Sequence, residues 1–171
     1  DLELTGALQY GFNFYSNLVC NVLIENCHVH HIGKLGDGLS VGDGIAVNKL
    51  NNRITVRDTR FNHNKRCGVF QTSAGGTVYD ILYDGVEANY NGVDGMRFIE
   101  EGNLVGAAEM QQSLDTNTPF GQHDVRITSS RTHHNGEFGI RIGVYETETE
   151  SGHGAADAHD VGTGELLGLH H

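Results

Sequence analysis

Short runs of alternating apolar and polar residues recur along this chain. Four stretches carry the pattern, Val22–Val41, Ile54–Ser73, Ile81–Ile99 and Val125–Gly143. Each opens on an alternation: Val22/Ile24, Ile54/Val56, Ile81/Tyr83 and Val125/Ile127. Each then crosses polar residues to a glycine that starts a second alternation, Gly38-Leu-Ser-Val, Gly68-Val-Phe-Gln, Gly95-Met-Arg-Phe and Gly139-Ile-Arg-Ile. Asn64, Asn91 and Asn135 each stand four residues before their glycine. Alternation with β-branched residues predicts strands, because successive strand side chains point to opposite faces. Repetition at this period predicts a stacked solenoid.

Gly68 and Gly95 are 27 residues apart, and Gly95 and Gly139 are 44 apart, one period plus an insertion. Gly11-Phe-Asn-Phe lies one period before Gly38, so a partial coil is expected at the start. Short strands separated by Asn, Asp, Gly and Ser turns predict an all-β parallel β-helix, with about four to five coils and one inserted loop. The expected division is coils over 1–145, an insertion over 100–122, and a cap or flexible tail over 146–171. The insertion reads equally as a wall of a binding face and as a decorative loop.

Superposing the copies assigns faces. Leu39, Val69, Met96 and Ile140 are expected inside, with Val41, Phe98 and Ile142. Asn13, Ser40, Phe70, Arg97 and Arg141 are expected outside. Asn64, Asn91 and Asn135 are expected to bond coil to coil through their amides. His31, His63, Tyr90 and His134 fall at one corner and read as a structural stack.

The 171 residues make one domain with ample core. The 24 glycines and single proline suit many tight turns. Three cysteines give no even disulfide framework. Cys27 and Cys67 read as small apolar fillers, and Cys20 as the odd one out. No stretch is apolar and long enough to read as a membrane-spanning helix. A net charge of −11 argues against a nucleic-acid partner. It leaves room for an anionic ligand, since a local cationic groove decides that. The chain begins mid-pattern at Asp1 and reads as a fragment or processed product.

Tyr79-Asp-Ile-Leu-Tyr-Asp-Gly85, followed by Tyr90-Asn-Gly-Val-Asp-Gly-Met96, resembles the catalytic module of secreted mannuronan C5-epimerases. His123-Asp-Val-Arg-Ile, with His134-Asn-Gly-Glu-Phe-Gly-Ile-Arg-Ile142, is similar to that module's next coil. The resemblance covers about residues 10–145, and part of it is general to β-helical lyases, hydrolases and tailspikes. It implies a secreted, right-handed parallel β-helix that binds a polyuronate along one sheet. The implied chemistry neutralises the uronate carboxylate and exchanges the C5 proton, with elimination as the lyase variant. The family's Tyr-Gly-x-Asp-Pro-His-Glu motif is absent, since the only proline is Pro119. Either the catalytic coil lies upstream of Asp1 or the activity differs.

Arg97 and Arg141 are the expected substrate-binding pair, because guanidinium forks match carboxylates. Solvated arginines paired with Glu100, Glu101 or Glu146 are the alternative. Asn13 lies on the corresponding strand and joins the binding set. Tyr15 is a candidate proton donor or a packing group. Asp37 and Asp43, in a glycine-rich bend, are candidate acid and base, Ca²⁺ ligands, or turn formers. His30, expected to face outward, is a candidate base or a turn histidine. No metal ligands are assigned, and Ca²⁺ is the one cofactor in view. The expected partner is an anionic polysaccharide, with a tailspike-like binder or a glycoside hydrolase as alternatives.

Overall fold

The protein is described by a computed structural model covering residues 1–15, 19–33, 41–48, 50–73, 76–100 and 121–144. Among these residues every regular element is a strand. In chain order they are β1 (Leu2–Thr5), β2 (Tyr10–Phe14), β3 (Cys20–Glu25), β4 (Cys27–His30), β5 (Asp43–Asn48) and β6 (Asn52–Arg57). There follow β7 (Arg60–Asn62), β8 (Val69–Thr72), β9 (Thr77–Asp84), β10 (Met96–Glu100), β11 (Gly121–Thr128) and β12 (Ile140–Val144).

The strands form three parallel sheets, ordered β1-β4-β7, β12-β10-β8-β5-β2 and β11-β9-β6-β3. The chain visits the three sheets in the same rotation from β1 through β9. Single bridges at Glu87 and Arg131 continue the three-stranded sheet where later strands are lacking. Inward side chains from all three sheets share one apolar cluster. It includes Val29, Ile45, Ile54, Val56, Phe61, Ile81, Tyr83, Met96 and Phe98.

Three ladders of left-handed residues set the bends. Asn26, Asp58, Gly85 and Ser129 turn one corner, and His31, His63, Tyr90 and His134 turn another. Asn21, Arg53, Asp80 and Asp124 bend the four strands of the third sheet at one level. Asn, Asp and Gly are the residues that accept this conformation most readily. The rings at the second corner stack, as expected: His31 on His63 at 5.4 Å, His63 on Tyr90 at 5.0 Å, and Tyr90 on His134 at 5.0 Å between centroids.

The amides beside that corner bond from rung to rung. Asn64 Nδ2 donates to Asn91 Oδ1 at 3.0 Å, and Asn91 Nδ2 to Asn135 Oδ1 at 3.2 Å. The same oxygens accept the backbone N–H of Asn64 and Asn91. Turn backbone that faces no strand is thereby satisfied inside the protein.

One register differs from expectation. Gly44, not Gly38, is the repeat glycine, for Ile45 pairs with both Phe12 and Val69. The successive spacings from Gly11 are therefore 33 and 24 residues. Val41 precedes β5 and takes no inward strand position, which Ile45 and Val47 fill instead. Leu39 and Ser40 lie outside the described residues. Glu100 ends β10 and Gly121 begins β11, so the connection between them is shorter than 100–122. Residues 101–120 and 145–171 are not among those described.

The outer side of the five-stranded sheet is not uniformly polar. Ala46 and Phe70, which alternate with core residues, are buried at 0% and 6% exposure. They form a second apolar cluster with Cys67 and Ile99, against which Tyr10 packs.

Candidate functional site

Parallel register aligns five residues in a single row across that outer side: Asn13, Ala46, Phe70, Arg97 and Arg141. Each is one residue out of phase with the core positions of its strand, so strand alternation puts it on the face away from the core. Arg97 and Arg141 are directly paired. Neighbouring strands are about 4.8 Å apart, close enough for two guanidiniums to repel unless an anion joins them.

The anion is Asp94. Its fully buried carboxylate pairs with Arg97 Nε, and Oδ2 lies 3.2 Å from Arg141 Nε. Its Oδ1 accepts the Phe138 N–H at 3.1 Å. Arg141 also pairs through its Nη with exposed Glu137 and lies 4.2 Å over the Phe138 ring. Glu101, Glu146 and the side chain of Glu100, the alternative partners, lie outside the described residues. Both guanidiniums remain partly exposed.

A second arginine–aspartate unit stands beside the row. Asp43, at 0% exposure, accepts Arg66 Nε at 2.7 Å and a second bond from its Nη, and it accepts the Cys67 N–H at 3.1 Å. Arg66 stacks over Phe70 at 4.1 Å. Burial pushes the Asp43 carboxyl up, and the Arg66 fork opposes it. The placement of Asp43 in a bend is therefore corrected. It opens strand β5 and turns its carboxylate into an ion pair.

Asn13 is exposed, and its Oδ1 accepts the Tyr15 N–H at 3.0 Å. Tyr15 follows on the same face, its ring 5.4 Å from that of Tyr10. Burial, with Tyr10 next to it, raises the Tyr15 hydroxyl far above its ordinary pKa. The Tyr15 hydroxyl therefore stays protonated at neutral pH.

The structure brings Asn13, Tyr15, Asp43, Arg97 and Arg141 to one sheet. It leaves His30 on another, the three-stranded sheet, where it bonds Glu3 and His31. Asp37 lies outside the described residues. Asp94 and Arg66 were not singled out from the sequence. The signal was there: Asp94-Gly-Met-Arg-Phe aligns with Asp43-Gly-Ile-Ala-Val, sharing the Asp-Gly and the apolar alternation, once Gly44 is taken as the repeat glycine. Among the described residues, one set of metal-ligating side chains converges, Glu3 with His28 and His30.

Comparison with protein-family models, with curated proteins and with solved structures finds no match.

Proposed function

We propose that this chain is a right-handed parallel β-helix that binds a polyuronate across its five-stranded sheet and acts on it in the manner of a C5-epimerase or lyase. The rotation of the chain through three parallel sheets supports the helix. Parallel crossover connections are right-handed in nearly all proteins, which supports the hand.

The observation that carries the ligand is the paired Arg97 and Arg141, held side by side by buried Asp94. A guanidinium has five N–H donors. The described contacts occupy Nε of Arg97 and one Nη of Arg141, with Arg141 Nε beside Asp94. Asp94 fixes the two forks at strand spacing, and a uronate carboxylate docks on their outer edges. Neutralising that carboxylate is what makes the C5 proton acidic. Tyr15 follows β2, three strands and about 14 Å from Arg97, so it meets a neighbouring sugar of the polymer and not the C5 of the docked uronate. Asp43 and Asp94 position arginines in this scheme and do not take protons.

A polysaccharide-binding module without turnover is the second reading. It is favoured by the internal pairing of both guanidiniums with Asp94 and Glu137. Incubation with poly-mannuronate in D₂O, followed by proton NMR, separates the readings. Deuterium at C5 in intact chains marks an epimerase, and an unsaturated end group marks a lyase. Retention on the polymer without either signal marks a binder. Absence of both retention and signal overturns the proposal.

A further inference from the structure

On the three-stranded sheet, three ligating side chains meet that no part of the polyuronate reading uses. His28 and His30 are two residues apart on β4, with buried Val29 between them pointing into the core. Strand alternation therefore puts both imidazoles on the outer face. Parallel pairing sets Glu3 of β1 opposite His28, and Thr5 opposite His30. Glu3 Oε1 lies 2.9 Å from His30 Nε2, and the two imidazole centroids are 4.3 Å apart. One ligand atom from each of the three lies within 4.8 Å of the others.

The geometry points to Glu3, His28 and His30 as a site for a borderline divalent transition-metal ion, Zn²⁺ being the probe, that clamps strand β1 onto β4. Two imidazoles and one carboxylate with open positions are a ligand set suited to such ions. Ligands about 2.1 Å from a tetrahedral ion are about 3.4 Å apart, so the set must close by roughly an ångström. Glu3, with 68% of its side chain exposed, can rotate to make that closure.

Two further features fit a ligand role. His30 Nδ1 lies 2.7 Å from His31 Nδ1. In the metal-bound state the proton of that pair sits on His30 Nδ1 and leaves Nε2 free to ligate, the outer-shell arrangement that orients metal-bound histidines. His31 is itself anchored on the His63 ring. In addition, the His28 ring stands 4.3 Å from that of His30 and tilted 33° to it, so both can turn a nitrogen toward one point. The ion takes the place of the proton between His30 Nε2 and Glu3 Oε1, and the proton leaves to solvent. Arg60, paired with His28 across β4 and β7, is a like charge beside the site and weakens it.

The test is Zn²⁺ titration of the full, chelator-treated chain by calorimetry, with Co²⁺ absorption reporting coordination and thermal melting reporting the clamp. The unaltered chain should take up one ion at this site and melt higher with it. Glu3→Gln should weaken uptake at least about tenfold, as loss of a ligand requires. His28→Gln with His30→Gln should abolish it and the melting shift. Arg60→Gln should tighten it. Variants His133→Gln with His134→Gln, and His170→Ala with His171→Ala, should retain it. The site is overturned if the unaltered chain binds no ion at micromolar Zn²⁺. It is equally overturned if uptake survives the His28/His30 change and is lost in either control.

Discussion

The Arg66 guanidinium grips the Asp43 carboxylate edge-on, with Nε 2.7 Å from Oδ1 and the aspartate wholly enclosed. Removing one partner of a buried pair leaves a charge without compensation, at about 3–5 kcal/mol. Arg66→Gln should therefore lower unfolding free energy by about that amount at neutral pH. The pH dependence has a definite sign. Burial raises the folded-state pKa of Asp43, so ionising it costs the folded state. That cost is absent below the unfolded carboxyl pKa and complete above the folded one. The gap between Arg66→Gln and the unaltered chain should widen from acid to neutral pH in urea titrations. A gap independent of pH would refute the assignment.

Asn91 is the centre of the amide ladder. Its Oδ1 accepts two N–H groups of Asn64, and its Nδ2 donates to Phe61 O at 3.0 Å and to Asn135. Asn91→Ala orphans several buried groups and should cost about 2–4 kcal/mol. Asn21→Ala, on an exposed residue outside the ladder, should cost less, apart from its own left-handed backbone preference. Equal losses in denaturant unfolding would contradict the ladder's role.

Two glycines make a matched pair for the close approach of successive rungs. A Cβ on Gly68 would lie 2.7 Å from Gly95 O and 2.8 Å from the Ala88 Cβ, both fixed by packing. A Cβ on Gly143 would meet nothing within 4 Å among the described residues. Gly68→Ala should lower the melting temperature by several degrees or more, and Gly143→Ala should leave it nearly unchanged.

The cysteines should separate cleanly by reactivity. Cys20 is exposed, while Cys67 is buried with its thiol pushed up to about 12. A thiol reagent at neutral pH should label Cys20 in the folded protein and reach Cys67 only with unfolding, read by mass spectrometry of peptides. Rapid labelling of Cys67 in native buffer would show that its rung opens locally.

Alternation and turn residues made most of the architecture legible, because both reflect local chemistry repeated rung after rung. The Asn64-Asn91-Asn135 ladder and the His31-His63-Tyr90-His134 stack follow from spacing alone, and both are present. The register at Gly44 was hidden because connection lengths vary freely between rungs while strand pairing does not. A chance spacing of 27 residues from Gly11 to Gly38 imitated the true period. Arg97 and Arg141 were visible as a row, since parallel register preserves repeat position. Asp94 was overlooked, because its likeness to Asp43 shows only once Gly44 is taken as the repeat glycine. The meeting of Glu3 with His28 and His30 was likewise hidden, because 25 residues separate Glu3 from His28 and only sheet pairing joins them.

The most direct test of the polyuronate reading is binding of mannuronate oligomers to the unaltered chain and to Arg97→Gln with Arg141→Gln, measured by calorimetry at low and high salt. A neutral oligosaccharide of equal length serves as reference. The account predicts binding of the charged oligomer alone, weakened by salt and lost in the double variant, compared below the melting temperature that uncompensated Asp94 lowers, where circular dichroism shows both chains folded. Equal binding by the folded double variant, or no preference for the charged oligomer, would contradict it.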